Sequence, residues 1–305
     1  MSWSRAILAG ICTLSALVWT APAATPTPAS EAYLRETEAW KAARLKKLLE
    51  PDNWLTLVGL HILKPGENTI GSAKGSDVLL AKGPARLGTA TVAADGKVTF
   101  TLEAGAEALV DGRKATAAEL KLAAGEAKPT TVKFGTVSFF VMDRNGKRAI
   151  RVKDSESERR TKFAGLDYFP LDPSWRIEAA WEPFDKLRMM PVTDRLGMTG
   201  PMLMAGKAVF EREGKRFEFL AIDEGPGKPL FFVFSDATSG KETYAAARFI
   251  YTEAKDGKVV LDFNRAENPP CAFTPYAVCP LPPKENKLPF PVRAGEKTYH
   301  AKGVE

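Results

Sequence analysis

The hydrophobic pattern divides the chain into one short helical stretch and a long series of strands. Between residues 31 and 50, Tyr33, Leu34, Trp40, Leu45, Leu48 and Leu49 recur at intervals that place them on one side of a helix. Glu36, Lys41, Lys46 and Lys47 fall on the other side, and Pro51 ends the pattern. The apolar stripe is expected to pack on the domain that follows. Membrane binding is the weaker alternative, because acidic residues interrupt the polar face.

After Pro51, short apolar or alternating runs recur at 54–60, 78–80, 90–92, 98–102, 108–110, 131–134, 138–143 and 149–152. Asp95 with Gly96, Asp111 with Gly112 and Asn145 with Gly146 punctuate them, and the last pair sits between two runs as a hairpin signal. A second series occupies 176–181, 188–192, 206–211, 217–222, 230–235, 243–251 and 259–263. Its turns include Glu213 with Gly214 and Asp256 with Gly257. Many short strands at this spacing predict sandwiches or barrels. The absence of a repeat of roughly 20 to 50 residues argues against solenoids and propellers. Residues 153–162, which carry both signs of charge, read as a solvated linker between the two series.

The N-terminus adds a location. Arg5 precedes an apolar stretch over 6–19, and Ala21 and Ala23 supply small residues at the −3 and −1 positions of a cleavage site. Residues 1–23 are therefore expected to be a signal peptide, and the mature protein periplasmic or secreted. The apolar run falls short of the roughly 20 residues of a membrane-spanning helix. Residues 25–30 form a Pro/Thr/Ala tether. Cleavage would remove Cys12 and leave Cys271 and Cys279, an even and closely spaced pair that reads as a disulfide in an oxidising compartment. Zinc would need two more ligands, and the only histidines, His61 and His300, are not at ligand spacing, so neither a metal nor another cofactor is expected.

Charge and motifs remove further classes. The net charge of +6 spreads 43 basic residues among 37 acidic ones, with no basic stripe interleaved with aromatics, so nucleic acid is not an expected partner. No Gly-x-Ser-x-Gly elbow, His-Glu-x-x-His, Walker loop or Gly-x-Gly-x-x-Gly after a strand is present. His61 lies in an apolar strand-like context and His300 near the end of the chain, which leaves histidine-based catalysis without a base. Carboxylate chemistry stays open through Asp223, Glu224, Asp236, Asp262, Glu267 and Glu296.

The densest candidate region is 261–296, LDFNRAENPPCAFTPYAVCPLPPKENKLPFPVRAGE, where polar side chains run into paired prolines and two cysteines. Upstream, Asp236, Thr238 and Gly240 suit a hairpin turn. On the strand beyond, Tyr244, Ala246, Arg248 and Ile250 alternate onto one face. A buried Arg248 needs an acid, and Glu296 or Asp262 is the expected partner. Arg248, Asp262, Asn264, Arg265, Glu267, Asn268 and Glu296 are accordingly expected to converge on one partly enclosed polar pocket beside the disulfide loop.

That C-terminal region, with FSDATSGKETYAAAR and the earlier WLTLVGLHIL, resembles a bacterial family of uncharacterised proteins, domain of unknown function 1684. The resemblance implies no established activity. Residues 68–152 separately resemble a forkhead-associated β-sandwich, through NTIGSAKGSDVLL and LVDGRK. That fold reads phosphothreonine with an arginine after its first glycine. Here Ser72 follows Gly71, Ser76 fits the family serine, and Leu87 or Gly88 falls where its histidine would be. Without the bidentate arginine contact, phosphothreonine peptides are not expected ligands.

The expected fold is all-β. A tether, helix and lead strand occupy 24–63, a forkhead-associated-like sandwich 64–155, and an antiparallel barrel-like domain 163–305, closed by the Pro-rich disulfide lid. The expected function is binding of a small or envelope-derived ligand through the polar pocket of the C-terminal domain. A carboxylate-dependent hydrolase acting on an envelope or extracellular substrate is the alternative.

Overall fold

The structure, a computed structural model, describes residues 30–123, 127–144 and 146–301. The expected signal peptide, nearly all of the tether and Asn145 of the hairpin turn lie outside the described residues. The first element is helix α1, Glu31–Leu48, opened by Ser30, whose hydroxyl accepts the Tyr33 N–H. No described helix is long and apolar enough to cross a membrane.

Eleven strands follow: β1 Leu57–Ile62, β2 Gly66–Gly71, β3 Val78–Leu79, β4 Gly88–Val92, β5 Val98–Leu102, β6 Leu109–Val110, β7 Arg113–Lys114, β8 Ala117–Glu119, β9 Thr131–Phe134, β10 Val137–Arg144 and β11 Lys147–Asp154. They form a six-stranded sheet, β1-β11-β10-β9-β6-β7, and a five-stranded sheet, β3-β2-β4-β5-β8. Ile70, Ala90 and Phe100 from one sheet meet Val132, Phe139 and Ile150 from the other in a single core, which makes this part a sandwich. From Ile150 onward β11 alternates. Ile150 and Val152 point into that core, so Arg151 and Lys153 face away from it.

The second part is a seven-stranded antiparallel sheet built from β12 Arg176–Thr193, β13 Thr199–Arg212, β14 Lys215–Ile222, β15 Leu230–Phe234, β16 Arg248–Thr252, β17 Ala254–Lys255 and β18 Lys258–Asp262. Its order, β16-β15-β14-β13-β12-β18-β17, leaves it open, so the expected barrel does not close. Both faces are covered. Phe219, Ala221, Phe232 and Phe234 pack on one side with Phe263, Leu288, Val292 and Ala294. Leu220, Ile222, Phe231 and Val233 pack on the other with Cys271, Ala277, Cys279 and Leu57. The Pro-rich C-terminal segment thus wraps the sheet and supplies apolar residues to both sides.

Several sequence expectations shift. The runs at 176–181 and 188–192 are one continuous strand, β12, with a register shift between Pro183 and Arg188. Gly206 lies opposite Pro183, and a Cβ there would sit 2.5 Å from the Glu182 carbonyl oxygen. The run 243–251 begins as strand only at Arg248, because the Asp236 carboxylate binds the Thr238 N–H and hydroxyl and holds the preceding chain in turns. Residues 153–162 are not a solvated linker. The Ser157 hydroxyl donates to the Leu55 carbonyl at 2.6 Å, Arg160 Nε to the Leu49 carbonyl at 2.8 Å, and Lys82 bridges Asp154 at 2.6 Å. The turn residues hold: Asp111 with Gly112, Glu213 with Gly214 and Asp256 with Gly257 all carry positive φ at both positions, as a type I′ hairpin turn requires.

Candidate functional site

Helix α1 docks through part of the expected apolar stripe, Tyr33, Trp40, Leu48 and Leu49, together with polar residues beside it. Leu34 and Leu45 are exposed, while Tyr33, Thr37 and Leu48 are buried and Trp40, Lys41 and Arg44 half-buried. This stripe keeps helical spacing and mixes Thr37, Lys41 and Arg44 with apolar side chains, because it meets the polar C-terminal segment along most of its length and the apolar cluster of Leu55 and Phe273 at Leu48. The Tyr33 hydroxyl donates to Asp262 Oδ1 at 2.8 Å and accepts from Asn264 Nδ2 at 3.1 Å. Asn264 also exchanges hydrogen bonds with the Asp172 backbone, accepting at 3.0 Å and donating at 2.8 Å. Arg265 lies 3.4 Å from both Asp262 and Glu36. Asp262, Asn264 and Arg265 therefore fasten the first turns of α1.

The next contact along the helix is Arg44. Its Nη1 lies 3.0 Å from Glu267 Oε2, its Nε donates to Glu296 Oε1 at 2.9 Å, and its Nη2 donates to the Asn268 carbonyl at 2.9 Å. The second oxygen of Glu296 accepts the Asn268 N–H at 2.6 Å. Burial alone would lower the Arg44 pKa, but Glu296 and Glu267 together more than offset it and raise it. Burial pushes the Glu267 carboxyl up, with Arg44 opposing and Glu296 adding to the rise. One guanidinium serves two carboxylates, so Glu267, the more exposed of them, is left under-compensated. Gly295 allows the strands of this knot to cross: it sits at φ +80°, and a Cβ there would lie 2.7 Å from the carbonyl oxygens of Phe263 and Ala266.

Arg248 does not join this group. It has no solvent exposure, and its Nη2 donates to Asp236 Oδ2 at 2.6 Å rather than to Glu296 or Asp262. It also donates to the carbonyls of Val292 and Ala294 at 2.9 and 2.5 Å. Asp236 in turn accepts the Val292 N–H at 3.0 Å. Desolvation lowers the Arg248 pKa and the Asp236 carboxylate opposes that fall. The expectation of one converging pocket is thus corrected to three neighbouring networks, of which Arg248–Asp236 is fully enclosed and shaped as a clamp.

The expected disulfide is corrected as well. Cys271 and Cys279 are free, buried thiols, and the Cys271 N–H donates to Cys279 Sγ at 3.3 Å. The loop between them is fastened by hydrogen bonds instead. Tyr244 donates to the Cys271 carbonyl at 2.9 Å, the Arg195 N–H to the Cys279 carbonyl at 3.0 Å, and the Thr274 hydroxyl to the Leu57 carbonyl at 3.1 Å. The hydrogen bond between the thiols favours ionisation of Cys271 and opposes that of Cys279. No group of three or more His, Cys, Asp or Glu suited to a metal ion occurs among the described residues.

A cavity of about 850 Å³ opens where α1, the outer face of the sandwich and the edge of the C-terminal sheet meet. Of the seven expected site residues, only Glu267 and Asn268 line it; Asp262, Arg265 and Glu267 line a smaller adjacent cleft of about 220 Å³. The sandwich contributes Phe140, Arg151 and Lys153, the C-terminal sheet Phe249 and Tyr251, and the segment after α1 Trp54. Some charges here are answered in part: Glu267 shares Arg44 with Glu296, and Lys153 donates to the Asp52 carbonyl at 2.5 Å, while Glu224, whose carboxyl burial pushes up, forms no salt bridge among the described residues. Arg151 is not answered. Among the described residues it forms no salt bridge, its Nε is buried without a hydrogen-bond partner, and the charges beside it, Arg144 and Lys153, are both positive. Burial lowers its pKa, and Arg144 lowers it further. Asn268, also on the cavity, has a buried Oδ1 without a partner among the described residues. Arg44 and Arg151 were both absent from the sequence-based site. Arg151 had a legible signal, a strand of alternating AIRVK whose charged face is flanked by aromatic residues.

Residues 161–297 match the model of a family described as "Protein of unknown function (DUF1684)". The chain belongs to that family. The match spans β12 to β18 together with Arg248, Glu267 and Glu296. Among solved structures, the solution NMR structure of an uncharacterized protein from gene locus rrnAC0354 of Haloarcula marismortui is 32% identical. The alignment covers 46% of this chain and 79% of that one, with a TM-score of 0.39. No curated protein matches the chain. The forkhead-associated resemblance of residues 68–152 receives no support from these comparisons.

Proposed function

We propose that the protein, exported as its N-terminus suggests, binds a small anionic ligand in the cavity between α1, the sandwich and the C-terminal sheet, with Arg151 as the anion anchor. The observation that carries this reading is the state of Arg151: a half-buried guanidinium, without an acid partner, on the wall of an 850 Å³ cavity. Holding a desolvated charge without a counterion is costly, and such groups cluster where a ligand supplies the missing charge. The cavity volume is that of small-molecule sites. Glu296 is fully enclosed and shares Arg44 with Glu267, so this carboxylate pair favours docking of α1 over hydrolysis.

The test compares the mature wild type with Arg151→Gln by calorimetry, using 2-naphthalenesulfonate as the probe anion, and records a thermal melt of each. A binding role predicts that Arg151→Gln weakens the probe at least tenfold while melting at or above the wild-type temperature, because it removes an uncompensated charge. Unchanged affinity, or a variant that melts well below wild type, would assign Arg151 to structure and overturn the reading.

A further inference from the structure

The aromatic lining of the same cavity says more about what the anion carries, and this step rests on the anion-binding reading. Trp54 is 37% exposed and, among the described residues, makes no ring contact and no side-chain hydrogen bond. A large aromatic surface left open on a concave wall is the kind of surface that ligands cover. Tyr251 is 42% exposed but is not loose. It stacks on Phe231 at 4.8 Å with 7° between the planes, and Phe231 is itself buried in the core. Phe249, edge-on to Phe231 at 4.7 Å, supports the same stack. Tyr251 is therefore the outer layer of a fixed two-ring platform beside the cavity.

The third wall ties these rings to the charge. Phe140 on β10 is the direct cross-strand partner of Arg151 on β11. Side chains so paired on one face lie about 5 Å apart at Cβ, so an anion held by Arg151 brings whatever it is attached to alongside the Phe140 ring. The Lys153 ammonium sits 5.6 Å from the centre of that ring and adds a second positive charge on the same strand face. A flat wall such as Tyr251, held from behind by Phe231, suits a planar group, which has little conformational freedom to lose on binding. A flexible aliphatic chain would lose more and would match a flat wall poorly.

We infer that the ligand of this cavity is a planar-ring anion, an aromatic carboxylate, sulfonate or phosphate ester, with its acid group on Arg151 and its ring against Phe140, Trp54 or Tyr251. The acid group supplies the charge the site lacks, and the ring covers the aromatic surface left open.

The experiment titrates the mature protein by calorimetry with two anions of equal charge, 2-naphthalenesulfonate and 1-octanesulfonate, the latter below its micelle concentration. Wild type is expected to bind the naphthalene compound at least tenfold more tightly. Trp54→Leu, which keeps an apolar side chain, should reduce that preference at least threefold while leaving octanesulfonate affinity within twofold. Arg151→Gln should weaken both anions. Equal affinities for the two sulfonates, each lost in Arg151→Gln, would overturn the ring assignment and leave anion binding standing. Absence of binding by both, or binding of both unaffected by Arg151→Gln, would overturn the two readings together.

Discussion

Replacing Arg248 by alanine should cost the fold about 4 kcal/mol, a large share of the stability of an ordinary domain. The figure follows from what the side chain holds. Arg248 is fully buried and bonds Asp236 and the carbonyls of Val292 and Ala294, all within 2.9 Å. Alanine would leave Asp236 in the core with donors from Thr238 and Val292 but no countercharge. Breaking one side of a buried ion pair costs about 3–5 kcal/mol, and two carbonyls left without donors push the value upward. Water entering the vacated volume pulls it back. For a unit of this size the loss corresponds to a fall of roughly 10 °C in melting temperature. Urea denaturation followed by circular dichroism measures it directly. Asp236→Ala should show a loss of similar size, and the double variant should lose clearly less than the sum, since each single change strands the partner of the other. A loss below about 1 kcal/mol for Arg248→Ala, or simple additivity in the cycle, would refute the clamp.

Arg44→Ala should destabilise the docking of α1 by about 3 kcal/mol, because it leaves the enclosed Glu296 without a cation; amide exchange across the helix should accelerate, and unchanged protection would contradict this. Cys271 and Cys279 should resist a bulky thiol reagent in the folded protein and both react after unfolding; an intact mass two hydrogens lighter would show a bridge instead. The carboxyl of Asp77, held down first by the Lys64 hydrogen bond and then by those of Thr69, should titrate at about 2. Its folded pKa is depressed, so its contribution to stability is present above the unfolded value near ~4 and is lost as pH falls through about 2. Carbon-detected NMR titration checks the midpoint, and a value near the unfolded one would count against that hydrogen-bond set. Export predicts a mature protein beginning at Ala24, which intact-mass measurement of envelope and culture fractions would verify; a chain retaining residues 1–23 would contradict it.

The sequence carried the strands and turns well because their determinants are local. The apolar runs of β14 and β15 and the Asp-Gly and Glu-Gly turns each depend on neighbours a few residues away. Arg248 was legible as a buried cation, but its acid was not. The register of β16 against β15 sets Arg248 opposite Phe234, and Asp236, two residues beyond, falls on the same face. Reading 243–251 as one long strand hid that register. Helix α1 misled for another reason. Tyr33, Trp40, Leu48 and Leu49 of its apolar stripe are covered, but Leu34 and Leu45 are exposed, because the surface beside them is lined by Asp262, Asn264, Glu267 and Glu296 and takes Arg44 instead. Arg151 shows the limit of strand alternation: the pattern tells which face leaves the core, not that another part of the chain will cover it.

The most direct measurement follows the Nε–H resonance of Arg151 by proton–nitrogen NMR while 2-naphthalenesulfonate is added to the mature protein. In the free protein that group is buried without an acceptor among the described residues. If the cavity takes an anion on Arg151, its resonance should shift saturably with the affinity found by calorimetry, while the Nε–H of the clamped Arg248 stays in place. An Arg151 resonance that does not move at saturating anion, or one that moves no more than that of Arg248, would contradict the account.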